Sequence, residues 1–190
     1  MKKSFVCLLA AAASVALLSS TLGAKSTPRG GMHIPVVGYE SFAAFYNPGT
    51  PVIVDGVVVG VRGIIADIRW QLSMPSLGVD DLELIAHATI NQDRDGLALL
   101  RMWATGEILA GGEVVGHMTA VNLPIQLEGS LYVSLITATG VFFEGPLKGC
   151  TFSWTSRFIG GQEANPPTYL ADIKGFLVVP THVEIGELAD

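Results

Sequence analysis

Apolar and polar residues alternate most clearly in the segment CTFSWTSRF, residues 150–158. In an extended chain, one face of this segment carries Cys150, Phe152, Trp154 and Phe158, interrupted only by Ser156. Successive side chains of a β-strand point to opposite faces, whereas a helix would scatter both sets around its circumference. The segment is therefore predicted to be a β-strand with one buried face.

The same alternation, clear or weaker, returns in five further segments, which are 64–74, 82–90, 114–123, 125–135 and 169–179. Residues 52–61 add a predicted hairpin, because Asp55-Gly56 stands between two runs of β-branched residues. The pattern indicates an all-β chain of about eight strands joined by short turns, as in an antiparallel barrel or sandwich. Strands of about ten residues are longer than usual and favour a single closed barrel.

Two segments allow a second interpretation. Residues 97–110 alternate as a strand, but a helix would also place Leu100, Ala104 and Ile108 on one face. A strand is favoured there because both neighbouring segments are strands. In Glu40–Tyr46 the aromatic residues have helical spacing, which predicts a short helical turn or a loop.

The first 24 residues have the three parts of a secretory signal peptide. Lys2 and Lys3 precede an apolar run, and small residues lead to a predicted cleavage site after Ala24. The run is too short for a membrane anchor and lacks a cluster of stop-transfer charges. The chain is therefore predicted to be secreted or periplasmic. It is divided into a signal peptide (1–24), a lead-in and loop (25–51), a barrel domain (52–180) and an acidic tail (181–190).

Composition and charge exclude several classes of protein. Hydrophobic residues make up 49% of the chain and charged residues 15%, which excludes a disordered protein. The net charge of −6 does not suit nucleic acid, and no run of lysine or arginine suggests binding to an anionic membrane. After loss of the leader with Cys7, Cys150 is the only cysteine, and it is predicted to be a buried, inert thiol.

No sequence motif for a nucleophile, a nucleotide or a metalloprotease site is present. The four histidines are dispersed, so neither a metal ion nor another cofactor is predicted. Asp93, Asp95 and Gly96 faintly resemble a calcium loop, but Ala104 stands where the required glutamate would be. A hairpin turn is the better interpretation.

Glu113 and His117 form the candidate catalytic pair. They share a strand face with Val115 and Val121, and an acid–base pair among apolar residues could work as a proton donor and acceptor. The favoured alternative is that the opposite face of this strand, with Met118, turns inward. The candidate ligand-binding residues are Trp70, Trp103, Tyr132 and Trp154, although aromatic residues on strand faces are more often plain core.

The segment Ile136–Gly149, with Thr139-Gly140 and Gly145 around an aromatic pair, resembles the glycine-punctuated hairpin of the allene oxide cyclase–dirigent superfamily of β-barrels. Ala171–Val179 is similar to the closing strand of that superfamily, with its central glycine. The resemblance covers about the last third of the chain and includes no catalytic motif. It implies a secreted eight-stranded barrel with an apolar cavity, in a group that contains both cyclases and non-catalytic proteins.

Three functions follow as hypotheses. The first is a non-catalytic exported barrel that binds a small apolar molecule or a protein partner. The second is a cyclase or isomerase that acts on an apolar substrate in the barrel cavity. The third is a small outer-membrane β-barrel, ranked last because aromatic residues for its girdles are sparse. The sequence predicts no oligomeric state.

Overall fold

The computed structural model describes residues 31–95, 98–126, 132–160 and 170–185. The predicted signal peptide and the end of the acidic tail lie outside these ranges. The strands are β1 (Met32–Asn47), β2 (Thr50–Val54), β3 (Val57–Met74), β4 (Val79–Asp95), β5 (Ala98–Ala110), β6 (Glu113–Gln126), β7 (Tyr132–Phe142), β8 (Thr151–Gly160) and β9 (Leu170–Val179). A 3-10 turn, Pro75–Leu77, joins β3 to β4. Within the described ranges, no helix has the length and hydropathy needed to cross a membrane.

Eight of the nine strands close into one antiparallel barrel, which confirms the predicted fold class. Strands β3 to β9 pair in sequence order, and β1 closes the ring by pairing with both β9 and β3. The remaining strand, β2, continues the line of β1 along β3, so that Thr50 faces Arg62. Closure pairs both sides of every strand in the ring and leaves no open sheet edge there.

Strand β3 shows why the interior is apolar. Asp67, Arg69 and Gln71 alternate with the residues that face the core, and they point away from it. The buried residues of β3 are the predicted apolar set, Ile64, Ala66, Ile68, Trp70, Leu72 and Met74. Residues 98–110 also form a strand, as favoured from the sequence; Ala104 and Ile108 face the core, whereas Leu100 is 56% exposed.

The second half of β1 corrects one prediction. Glu40–Tyr46 is strand, and neither a helical turn nor a loop. The register against β3 shifts between Phe42 and Ala44 and again between Phe45 and Asn47. Such bulges insert an extra residue and interrupt the two-residue period, so the aromatic side chains acquire a spacing that resembles a helix. Strand β1 thus begins at Met32 and includes both this segment and His33–Tyr39, whose sequence allows a first strand within the lead-in and loop.

The inner face of β7 is a second correction. The two-residue alternation of segment 125–135 predicts that Leu135 lies on the apolar face and Ser134 on the polar face, but Ser134 is 0% exposed and Leu135 is 37% exposed. Ile136 and Ala138 are buried and fix the inner face of this strand. Because the side-chain period is two, the same face includes Ser134.

One half of the interior, called here the aromatic end, lies toward the β3–β4, β5–β6 and β7–β8 connections. The Phe152 ring stacks on Trp154 with centroids 3.9 Å apart and lies 5.4 Å from Phe142. Gly140 faces Phe152 and Gly175 faces Trp154 on the neighbouring strands. A Cβ atom at either glycine would overlap with backbone or ring atoms, so the rings occupy the space that the glycines leave.

Candidate functional site

The opposite half of the interior, called here the polar end, contains a buried carboxylate. Glu40 of β1 is 3% exposed. Its Oε2 atom accepts hydrogen bonds from Trp70 Nε1 at 3.0 Å and from Ser156 Oγ at 2.7 Å. Trp70 lies directly opposite Glu40 on β3, and Ala171 lies opposite it on β9. Because Ala171 is small, the hydroxyl of Ser156 on β8 reaches the carboxylate, and two donors offset the cost of its burial.

Three further buried side chains carry polar atoms that have no hydrogen-bond partner among the described residues. These atoms are Nδ2 and Oδ1 of Asn122, Oγ of Ser134 and Nε1 of Trp154. The side chains are 1%, 0% and 2% exposed, respectively, and belong to the neighbouring strands β6, β7 and β8. Buried polar groups in folded proteins almost always have a partner, so each of these groups requires an explanation.

The register brings most of these polar residues together. Asn122 faces Ile136 from β6, and Ser156 faces the same residue from β8. Both are therefore diagonal neighbours of Ser134 on the inner face, although neither Asn122 nor Ser134 hydrogen-bonds to a described neighbour. Together with Glu40, which Ser156 reaches past Ala171 of β9, they form a polar row over β1, β8, β7 and β6, which we call the polar arc.

The inner wall across from the polar arc is aliphatic. It belongs to β3, β4 and β5, and its buried residues at this end are Ile64, Ala66, Ile68, Ala88, Ile90 and Ala104. The alanines occupy little of the interior, in contrast to the rings of the aromatic end. A polar row facing an aliphatic wall is the arrangement that holds a molecule with an apolar body and one polar group.

The unpaired atoms of the polar arc are energetically unfavourable as long as nothing supplies their hydrogen bonds. A buried donor or acceptor without a partner costs about 1–3 kcal/mol relative to a paired one. Asn122 and Ser134 together would thus remove a substantial part of the 5–15 kcal/mol that typically stabilises a small domain. A bound molecule or ordered water that supplies the missing hydrogen bonds would recover this free energy.

The predicted ligand-binding residues divide into two groups. Trp70 and Trp154 are buried in the interior with their rings 5.0 Å apart, next to the polar arc. The guanidinium groups of Arg62 and Arg101 lie over the ring of Trp103, with Cζ 4.8 and 4.7 Å, respectively, from the ring centroid. Since Arg101 is mostly exposed, this stack belongs to the outer surface. The side chain of Tyr132 lies outside the described part of the chain.

The candidate catalytic pair lies on the outside of the barrel. Glu113 is exposed at the start of β6 and faces Ala110. His117 is exposed, and its ring lies 4.9 Å from the ring of Phe143. Met118 is buried, so the inner face of β6 is the one that the alternative interpretation favoured. The catalytic role of Glu113 and His117 stays a prediction, and neither residue joins the polar arc.

A different acid–base cluster was missed by sequence reasoning. On the outer face, Asp67 Oδ1 lies 2.6 Å from His87 Nδ1, and Asp67 Oδ2 accepts a hydrogen bond of 2.7 Å from the Tyr46 hydroxyl. This hydrogen bond, together with burial and the nearby negative charge, raises the pKa of Tyr46. Asp67 and His87 are direct cross-strand neighbours, which only the register of β3 and β4 reveals. The cluster is exposed, so solvent weakens its ion pair.

Other features of the described residues add no second interior site. A groove of about 430 Å³ on the barrel exterior is open to solvent and is lined in part by Asp80, Asp81 and Asp172. No three histidine, cysteine, aspartate or glutamate side chains in the described ranges lie close enough to hold a metal ion. Cys150 is 0% exposed, and burial raises the pKa of its thiol, as expected for the inert cysteine that was predicted.

Comparison with known proteins leaves the family open. No family model matches the chain, and the searches of curated proteins and of solved structures returned no match either. The resemblance to the allene oxide cyclase–dirigent superfamily therefore stays a prediction. What is established is a small closed β-barrel whose polar end contains the polar arc.

Proposed function

We propose that this protein is an exported β-barrel that binds a small, mostly apolar molecule inside its polar end. The observation that carries the proposal is the set of unpaired polar atoms on Asn122, Ser134 and Trp154. The aliphatic wall across from them supports an apolar body for the ligand, because burial of apolar surface drives association. The polar group of the ligand takes the hydrogen bonds that the chain leaves unused.

A binding role inside the barrel agrees with the direction of the strand faces. The buried side chains of the strands are almost all apolar and point inward, as Ile68 and Ala88 do, while the outer face mixes charged residues with scattered exposed hydrophobic ones such as Val121. An outer-membrane barrel would direct its apolar residues to the lipid, so this arrangement supports the binding proposal over that alternative. The number of strands also suits a small molecule, since the interior of an eight-stranded barrel holds side chains or one small ligand.

Export is part of the proposal and is supported by the signal-peptide pattern of residues 1–24. N-terminal sequencing of the protein from an expressing cell tests it. The expected mature terminus is Lys25. An uncleaved Met1 on protein that stays inside the cell would contradict export but would leave the binding site untouched.

Binding is tested with 1-aminoanthracene, an uncharged apolar fluorophore, while the fluorescence of Trp70 and Trp154 is followed. We expect saturable binding at one site together with a change in tryptophan emission, because both indoles lie in the interior. Asn122→Leu, which keeps the branched shape of the side chain but replaces the amide group by two methyl groups, should weaken binding. Thr119→Val is the matched control, since Thr119 lies on the outer face of the same strand and pairs there with Thr139.

Absence of saturable binding to the wild-type protein would overturn the proposed function. Equal weakening by Asn122→Leu and Thr119→Val would show that the dye binds somewhere other than the polar end.

A second candidate function is the cyclase or isomerase. It is favoured by Glu40, a buried carboxylate among apolar residues that could exchange a proton with a bound substrate. Once a ligand is identified, its conversion by the wild-type protein and by Glu40→Gln decides between the two functions. Conversion that Glu40→Gln abolishes while binding persists would establish the enzyme, and a ligand recovered unchanged would establish the binding protein.

A further inference from the structure

We infer that the polar end selects an uncharged ligand whose polar group both donates and accepts hydrogen bonds, such as an amide or an alcohol, and that it rejects carboxylates. The inference rests on the proposed function and names the chemical class of its ligand. It follows from the hydrogen-bonding capacity of the unpaired atoms and from the distribution of charge around them.

Asn122 gives the first constraint. Its Nδ2 atom is an unused donor and its Oδ1 atom an unused acceptor, both on one buried planar group. Another amide complements both atoms, and a hydroxyl group complements either. A carboxylate only accepts hydrogen bonds, so it would leave Oδ1 without a donor. Exchanging the nitrogen and oxygen of Asn122 would not alter this, because neither atom has a partner.

Trp154 and Ser134 further restrict which polar group the ligand can carry. The indole Nε1–H of Trp154 only donates, so its missing partner is an acceptor such as an oxygen atom. The hydroxyl of Ser134 donates or accepts and imposes no further condition. A purely apolar ligand would satisfy none of the three residues, whereas the amide or hydroxyl group of a ligand provides the atoms that Asn122 and its diagonal neighbour Ser134 lack.

Charge gives an independent constraint. The one charged residue that is buried among the described residues is an acid, Glu40. A second anion would thus enter the interior near a carboxylate, and repulsion between like charges is costly in a medium of low polarity.

Arginines at the rim of the polar end are the positive charges nearest to a bound anion. Arg62 pairs with Asp93 at 2.7 Å, and Arg101 lies 3.4 Å from the same carboxylate. Arg94, by contrast, donates two hydrogen bonds to the uncharged Oε1 of Gln92, at 2.8 and 3.0 Å. An anionic ligand would find its counter-charge at Arg94, which makes this residue the decisive control.

The experiment compares four ligands that share one eight-carbon chain: octanamide, 1-octanol, octanoate and octylammonium. Their affinities are measured by calorimetric titration of the purified protein at neutral pH. Octanamide and 1-octanol should bind at least about tenfold more tightly than octanoate, because an unpaired buried charge loses its hydration. Arg94→Gln should leave octanamide binding unchanged, and Asn122→Leu should weaken it.

Tightest binding of octanoate, lost in Arg94→Gln, would overturn the inference and leave the proposed function standing. Tightest binding of octylammonium would overturn it as well, with Glu40 as the obvious partner. If none of the four compounds binds while 1-aminoanthracene does, the inference fails and the proposed function stands; if the dye does not bind either, both fail. The order of affinities for the wild-type protein decides among these outcomes without reliance on any variant.

Discussion

The two ends of the barrel interior differ in how completely their buried atoms are partnered. At the aromatic end, Phe142 and Phe152 pack ring against ring where glycines on neighbouring strands leave space. At the polar end, Asn122 and Ser134 are buried with unused hydrogen-bonding atoms. Trp154, which stacks on Phe152, adds one unpaired atom at the aromatic end, so among the described residues the contrast is one such atom there against three at the polar end. Such local departures from good packing are typical of functional sites, which supports a binding role for the polar end.

The largest effect is expected at the aromatic end. Phe152→Ala should lower the free energy of unfolding by about 3–5 kcal/mol, because it leaves a cavity between three aromatic neighbours. Phe176→Ala on the outer face, where the ring is 39% exposed, is the control and should lose less than about 1 kcal/mol. Urea unfolding measures both. Equal losses would show that the aromatic end has no special part in stability.

A smaller loss is expected where the polar end is already paired. Ser156→Ala removes one of the two donors to Glu40 Oε2 and should destabilise the fold by about 1–3 kcal/mol. Ser153→Ala, on the outer face of the same strand, should change stability by less than about 0.5 kcal/mol. The same urea titration provides both values. A neutral Ser156→Ala would mean that the buried carboxylate does not depend on this hydroxyl.

Thiol reactivity tests whether the aromatic end excludes solvent. Cys150 is 0% exposed and burial raises the pKa of its thiol, so the reactive thiolate is scarce and inaccessible in the folded state. A disulfide reagent at pH 8 should leave the native protein unmodified and should label one thiol of the processed chain after unfolding. Rapid labelling of the native protein would contradict close packing there.

The smallest effect is expected on the outer surface, where a substitution should leave ligand binding in the interior unchanged. The hydrogen bond to Asp67 raises the pKa of Tyr46, so the folded state favours the neutral phenol. The stabilisation is therefore present below the usual tyrosine pKa of about 10 and is lost as pH rises through the higher folded value. An ultraviolet titration of Tyr46→Phe should lack one late-ionising phenol, while binding of 1-aminoanthracene stays unchanged. Loss of dye binding would connect this surface cluster to the site.

Alternation alone predicted the barrel, since Ile64 to Met74 and the strand around Trp154 bury the faces that a two-residue period assigns to them. It also marked one member of the site. Ser156 was the single polar residue on an apolar face, and it is the hydroxyl that binds Glu40. A polar interruption in an otherwise apolar strand face is thus a usable signal for an interior site.

The other members of the polar arc could not be predicted from the sequence, for identifiable reasons. Glu40 precedes two bulges in β1, which gave its segment the spacing of a helix. Ser134 was assigned to the polar face because the apolar residues near it, such as Leu135, lie on the outer side of β7. Nor does local sequence reveal that Asn122 and Ser134 are diagonal neighbours, because that depends on the register between two strands.

The central claim is that the polar end gives up stability in order to bind an uncharged ligand. Urea unfolding of the wild-type protein and of Asn122→Leu, each with and without saturating octanamide, tests this most directly. Without ligand, Asn122→Leu should be as stable as the wild type or more stable, because an apolar side chain replaces unpaired polar atoms. Octanamide at about 100 times its dissociation constant should stabilise the wild type by about 2.7 kcal/mol and the variant by much less. A variant that is markedly less stable without ligand, and that octanamide stabilises as strongly as the wild type, would contradict the claim.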